Sequence, residues 1–260
     1  MRRRVLIPAL IACFAVAFIA ASQAEVEQVD GLRVRFNAEF DPQTLPREEA
    51  APVRIKVTGS IATTDGSHPP PLRWLEIELN RAGQLFSKGL PVCSAPLLQS
   101  TSTEQARERC GSAIVGSGRF RADVSLGSEI PATGEILAFN SRDGGRSMLL
   151  LHFFASVPVR FTLVVPLTIA RQDEGEFGTL LRTHVPRLGG GLGSITEIGL
   201  TIGRRYSFAG KRRSYLSAAC RAPAGFPGAS FTFARARFRF ESHRPIRTIL
   251  VRNCKVRKAP

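Results

Sequence analysis

Leu32-Arg33-Val34-Arg35-Phe36-Asn37-Ala38-Glu39-Phe40 alternates strictly between apolar and polar residues over nine positions. Successive side chains of a strand point to opposite faces, so this period of two makes a strand with one buried face and excludes a helix of period 3.6. The same alternation returns at Val53-Ile55-Val57, Leu75-Ile77-Leu79, Phe120-Ala122-Val124-Leu126 and Thr196-Ile198-Leu200-Ile202. Met148 to Phe154 and Val159 to Val165 are apolar without alternation, which suits strands covered on both faces. Asp143-Gly144-Gly145 and Ala209-Gly210-Lys211 supply the residues that a tight hairpin turn needs. Ten to twelve strand segments emerge in this way, against one convincing helix. That helix starts at the capping box Ser102-Thr103-Glu104-Gln105 and runs to about Cys110. The expected class is all-β, an antiparallel sandwich or jelly roll with one short helix near residues 102–110.

The N-terminus has a different character. Arg2, Arg3 and Arg4 precede an uncharged run from Val5 to Ala20, and Ala21-Ser22-Gln23-Ala24 places small residues where a signal peptidase requires them. Residues 1–24 read as a cleaved secretory signal peptide. Sixteen apolar residues are short of the ~20 that cross a hydrocarbon core. Leu10-Ile11-Ala12-Cys13 resembles a lipobox, but only a short apolar stretch precedes Cys13, so cleavage after Ala24 is the preferred outcome. Residues 25–31 read as a flexible acidic leader and 32–260 as a single β-sandwich-like domain. The expected location is secreted or extracytoplasmic, with no transmembrane span after processing.

Cleavage leaves Cys93, Cys110, Cys220 and Cys254, an even number in a chain sent to an oxidising compartment. Three pairings are open, and the two sequence neighbourhoods favour Cys93 with Cys110 and Cys220 with Cys254. No Cys-x-x-Cys or His-x-x-x-His spacing accompanies these cysteines, so neither a metal nor a cofactor is expected.

Several of these segments together carry a family likeness. Lys88-Gly89-Leu90-Pro91-Val92-Cys93-Ser94, the helix to Cys110-Gly111, Ala113-Ile114-Val115-Gly116-Ser117-Gly118, Gly203-Arg204-Arg205-Tyr206, Arg212-Arg213-Ser214-Tyr215-Leu216 and the segment from Cys220 to Cys254 form one set. The set resembles a group of uncharacterised exported proteins of high-GC actinobacteria. The resemblance implies an exported β-rich protein and transfers no catalytic residue.

Trp74-Leu75-Glu76-Ile77-Glu78-Leu79-Asn80 resembles the catalytic strand of laminarinase-like glycoside hydrolases, whose carboxylates share one face at two-residue spacing. Asn80 stands where that mechanism needs its acid. The strand therefore reads as Leu75, Ile77 and Leu79 inward with Glu76 and Glu78 outside, and a carbohydrate-active enzyme using Glu76 and Glu78 is the alternative function. Gly210-Lys211 lacks the flanking residues of a phosphate loop, and the glycine run 189–193 precedes a strand pattern rather than a helix. His68, His152, His184 and His243 are scattered, and His152, within an apolar run, reads as structural.

Charge supplies the remaining signal. The net charge is +15, yet residues 204–260 hold 15 basic groups against the single acid Glu241. Arg235, Arg237 and Arg239 alternate with Ala234, Ala236, Phe238 and Phe240, so the three arginines form a ladder on one strand face, which Phe231 and Phe233 would share. Arg204, Arg205, Arg212 and Arg213 add to the local excess, as do Lys211, Arg244, Arg247, Arg252, Lys255, Arg257 and Lys258. The expected function is an exported, non-enzymatic structural or binding protein that contacts anionic envelope polymers or polysaccharide through this region, with no dedicated nucleic-acid role. A secreted inhibitor or toxin-like factor is a third reading.

Overall fold

Asp30 and Gly31 both take positive φ, 51° and 80°, and fold the chain back on itself before the alternating stretch begins. They join β1 (Glu25–Val29) to β2 (Leu32–Asp41), with Val29 opposite Leu32 and Glu25 opposite Phe36. Residues 25–29 are thus a paired strand and not the flexible leader their acidity implied. An Asp-Gly pair is the preferred centre of a two-residue hairpin, and this local signal prevails over composition.

The computed structural model describes residues 25–125, 129–158, 160–188 and 193–257. The signal segment 1–24, Leu126, Val159, the glycines 189–191 and Lys258 lie outside the described residues. After β2 come β3 (Thr44–Leu45), β4 (Ala51–Pro52), β5 (Arg54–Thr63), β6 (Leu72–Asn80) and β7 (Gly83–Leu85). Two helices follow, α1 (Ala95–Leu98) and α2 (Thr103–Cys110). The long strands β8 (Ile114–Ser125), β9 (Glu129–Asp143), β10 (Arg146–Ala155), β11 (Phe161–Arg171), β12 (Phe177–His184) and β13 (Gly193–Ile202) come next. The chain ends in β14 (Arg205–Phe208), β15 (Lys211–Ser214), β16 (Leu216–Ala218), β17 (Gly228–Phe240) and β18 (Ile246–Val256).

Thirteen strands form one sheet in the order β1-β2-β5-β13-β8-β9-β10-β11-β12-β6-β17-β18-β3, and β4-β16-β7 and β14-β15 form two small ones. Among the described residues every pairing is antiparallel except that of β18 with β3. The all-β expectation holds, and the sandwich takes the form of one sheet curled until its own walls pack face to face. The curl brings β1 and β2 against β18. Across this seam the Phe36 ring meets Phe238 edge-on at 5.7 Å between centroids, and Phe40 stacks on Phe233 at 5.6 Å. Arg252 lies on the inward face of β18 and is buried. Its Nε donates to the Ala38 carbonyl at 2.9 Å, and its Nη2 donates to Asn37 Oδ1. At the edge of the same seam Arg244 holds Asp30 through two hydrogen bonds.

Tight curling requires close backbone approach. A Cβ on Gly118 would stand 1.9 Å from the Gly199 carbonyl oxygen of β13, and one on Gly134 would stand 2.1 Å from that of Phe154. Glycine at these two places lets β8 and β9 bend against their neighbours.

The run Met148 to Phe154 is covered on both faces, as its continuous hydrophobicity implied. One side meets the main core, and the other meets a second cluster in which Leu137, Phe139 and Leu150 pack beneath Leu98 and Ala106 of the helices. Ser102 caps α2, accepting from the Gln105 backbone while the Gln105 side chain returns to the Ser102 N–H. The short helix α1, with a proline in its first turn and no side-chain cap at Ser94, adds to the one expected helix. The helical layer is fastened by Cys93–Cys110, and Cys220–Cys254 ties the β16 connection to β18, with Cα separations of 5.6 and 5.7 Å.

Candidate functional site

Sheet order sets what surrounds the arginine ladder. β17 pairs with β6 on one side and β18 on the other, placing Arg235 opposite Glu78, Arg237 opposite Glu76, and Arg239 opposite Trp74. Ala234, Ala236, Phe238 and Phe240 are buried and the arginines face outward. The outward ladder is therefore present. It is not uniformly free, because the carboxylates of β6 stand on the same face.

Arg235 Nε donates to Glu78 Oε2, and its guanidinium lies 4.7 Å from the Phe177 ring centroid. Glu76 is taken by Arg182 of β12 at 2.7 Å. Arg239 stacks over the Trp74 ring at 4.9 Å. Arg237 forms no ion pair of its own among the described residues, and exposed Arg247 of β18 is its cross-strand neighbour. The hydrogen bond from Arg235 holds the Glu78 carboxyl below its ordinary range and raises Arg235 in turn.

These contacts bear on the hydrolase alternative. A retaining glycosidase needs one carboxyl that keeps its proton until the leaving group departs. Glu78 is instead held ionised by Arg235. Asn80, at the acid's position, is a structural bracket: its Nδ2 donates to the Thr232 carbonyl and its Oδ1 accepts from Ala82 N–H, both at 2.8 Å. The Trp74 face that would receive a sugar is covered by Arg239. His152 is fully buried, with Nε2 against Thr101 Oγ1 at 3.0 Å, and burial lowers its pKa. It fixes the loop between the two helices to the sheet.

Phe231 and Phe233 do not share the arginine face. A bulge between Thr232 and Ala234 shifts the register by one residue and turns Phe233 inward, where both rings pack around Phe40. Neither ring therefore offers a stacking surface beside the ladder. Arg252, counted among the surface cations, is the buried seam residue described above.

Of the second group of arginines, Arg205, Arg212 and Arg213 lie on the β14–β15 hairpin, a sheet separate from that of the ladder, and Arg204 directly precedes it. Ala209 and Gly210, at φ 51° and 73°, make its turn. Its apolar side docks through Tyr206, whose hydroxyl donates to the Lys88 carbonyl at 2.9 Å, and through Phe208, whose ring occupies the space a side chain at Gly89 would fill. Arg204 is consumed structurally, donating to the carbonyls of Ser112 and Ile114 at 2.7 Å each. Arg213 lies over the Phe86 ring at 5.3 Å. Arg205, Lys211 and Arg212 are exposed and make no ion pair among the described residues.

A further cationic cluster was not legible in the sequence. Where β9 to β12 run past the core, a recess of about 740 Å³ is lined by Arg81, Lys88, Arg142 and Arg171 and by no carboxylate. Two of these, Arg142 and Arg171, come from strand ends, Arg81 from the turn after β6 and Lys88 from the loop after β7, and only the sheet order collects them. Among the described residues no His, Cys, Asp and Glu side chains gather in threes as metal ligands, and no helix is long and apolar enough to cross a membrane. Comparison of the chain with family models, curated proteins and solved structures finds no match.

Proposed function

We propose that the chain is exported, matures by loss of residues 1–24, and acts without catalysis as a binding protein of the cell envelope or extracellular space, holding anionic polymers on its exposed arginines. The observation that carries this reading is the β14–β15 hairpin. It is docked through Tyr206 and Phe208, and its Arg205, Lys211 and Arg212 are exposed without a carboxylate partner among the described residues. Two disulfides suit the compartment outside the cytoplasm.

The ladder is the secondary contact. Arg235 is committed to Glu78, which leaves Arg237 and Arg239 with Arg247 as the cations a polymer would meet. Arginine presents planar donors that match phosphate or carboxylate oxygens, and each neutralised phosphate of a single-stranded polymer lowers the slope of log K against log salt by about 0.7. Retention of the folded protein on a phosphopolymer resin tests this assignment. Replacing Arg205, Lys211 and Arg212 together by Gln is expected to elute the protein at lower salt and make the slope shallower by about two. Arg237→Gln with Arg239→Gln is expected to have a smaller effect. Unchanged retention in a folded hairpin variant would remove the hairpin from the site.

A further inference from the structure

We propose that the recess at the rim of the curled sheet binds the phosphoryl group of a phosphorylated polyol or sugar unit, with Arg81, Lys88, Arg142 and Arg171 as its anion-holding residues. This rests on the anionic-ligand reading above but uses different side chains, and it names the group those ligands would carry.

The recess belongs to the inward face, beyond the point where the core stops. Arg171 pairs across the ladder with buried Thr179, which in turn pairs with core-facing Leu79, and Arg142 pairs with Ser147 beside inward-facing Ile169. A row that is apolar deeper in the sheet thus ends in cations at its mouth. Two contacts fix the base of Arg81. Its N–H donates to the Glu176 carbonyl at 2.9 Å, and the absence of a side chain at Gly178 lets the Arg81 backbone approach β12, since a Cβ there would lie 2.9 Å from the Arg81 Cα.

Arg81 carries the argument furthest. Its Nε and Nη2 are buried and have no hydrogen-bond partner. These two nitrogens form the edge with which a guanidinium grips two oxygens of a carboxylate or phosphate. A buried donor without an acceptor is costly, and like charges collected around one concavity repel each other. A structural cation cluster relieves both costs with carboxylates, as β6 does for the ladder. Asp173, Glu174 and Glu176 lie in the adjacent turn, yet none lines the recess, and the Glu176 charge acts on Arg235 instead. An oxyanion entering the recess supplies the missing acceptors, drawing the unpartnered edge of Arg81 toward it. Ser87 and Ser147 offer neutral hydroxyls beside the cations. The volume exceeds what a bare phosphate fills and leaves space for the polyol or sugar that bears it.

Isothermal titration of the folded protein with sn-glycerol 3-phosphate, and with a poly(glycerol phosphate) oligomer, tests the proposal and separates a small phosphomonoester from a polymer terminus. Saturable binding of at least one of the two is expected, weakened about tenfold or more in Arg142→Gln with Arg171→Gln, since loss of charge-assisted bonds is felt on that scale. Arg81→Met is expected to do the same, and the double variant keeps the test decisive if Arg81→Met does not fold. The hairpin variant should bind sn-glycerol 3-phosphate as the wild type does. In the hairpin variant, tighter binding of the oligomer than of the monomer would assign the recess to a polymer terminus, and the reverse would assign it to a soluble phosphomonoester. Absence of binding to both probes, or equal binding by wild type and the Arg142, Arg171 variant, would overturn the proposal. Resin retention through the hairpin, measured on the same samples, would then stand or fall separately.

Discussion

Replacing Cys220 and Cys254 together by Ala is expected to lower the free energy of unfolding by about 3–4 kcal/mol. The bond closes a loop of 34 residues that contains the whole of β17, whereas Cys93–Cys110 closes only 17. Both Cys220 and Cys254 are buried, and the Cys220 N–H donates to the Pro46 carbonyl at 2.8 Å, so the bond anchors β18 to the connection after β3. Equilibrium denaturation in urea, without reductant, measures the loss. A decrease below about 1 kcal/mol would show that packing alone holds these segments, since constraint of the unfolded chain should contribute several times that.

The second large effect is expected at the seam. Arg252→Met retains most of the side-chain volume but removes the donors that reach the Ala38 carbonyl and Asn37 Oδ1. Bonds from a charged donor contribute about 1.5–3 kcal/mol, and acceptors left unpaired in a buried place add to the cost. A loss of about 2–3 kcal/mol is therefore expected. Its distribution is more telling than its size. Amide exchange should accelerate in β1, β2 and β18, which meet across the seam, while β8 to β11 keep their protection. Uniform acceleration would mean that the seam is no weaker than the rest of the sheet.

Legibility in the sequence followed the range of the interaction. The alternation from Leu32 to Phe40 is a local property of a strand and carried straight into β2. The Ser102 to Gln105 cap and the turns at Gly144–Gly145 and Ala209–Gly210 are equally local, and each is found in place. Asp30-Gly31 was just as local, but the acidity of the segment hid the hairpin that folds β1 onto β2. Elsewhere the information is not local at all. Nothing near Arg235 announces that Glu78, 157 residues away, stands opposite it, because that pairing follows from the sheet placing β17 beside β6. A single bulge at Thr232 then reverses the face of Phe233 and removes an aromatic neighbour that strict alternation had promised. Arg252 alternates like a surface residue of β18 in the wrong phase: Ile249 and Val251 are half exposed while Arg252 is buried, since its partners lie on β2 across the seam. The recess around Arg81 is the extreme case, with lining cations drawn from four separated places in the chain.

The central claim, that this fold presents arginines to anionic polymers, is tested most directly by the salt dependence of binding to poly(glycerol phosphate) from low to physiological ionic strength. The account predicts a linear fall of log K with log salt, with a slope of about −2 to −4 that becomes shallower when Arg205, Lys211 and Arg212 are replaced by Gln. Binding that does not respond to salt, or a slope identical in the folded triple variant, would contradict it.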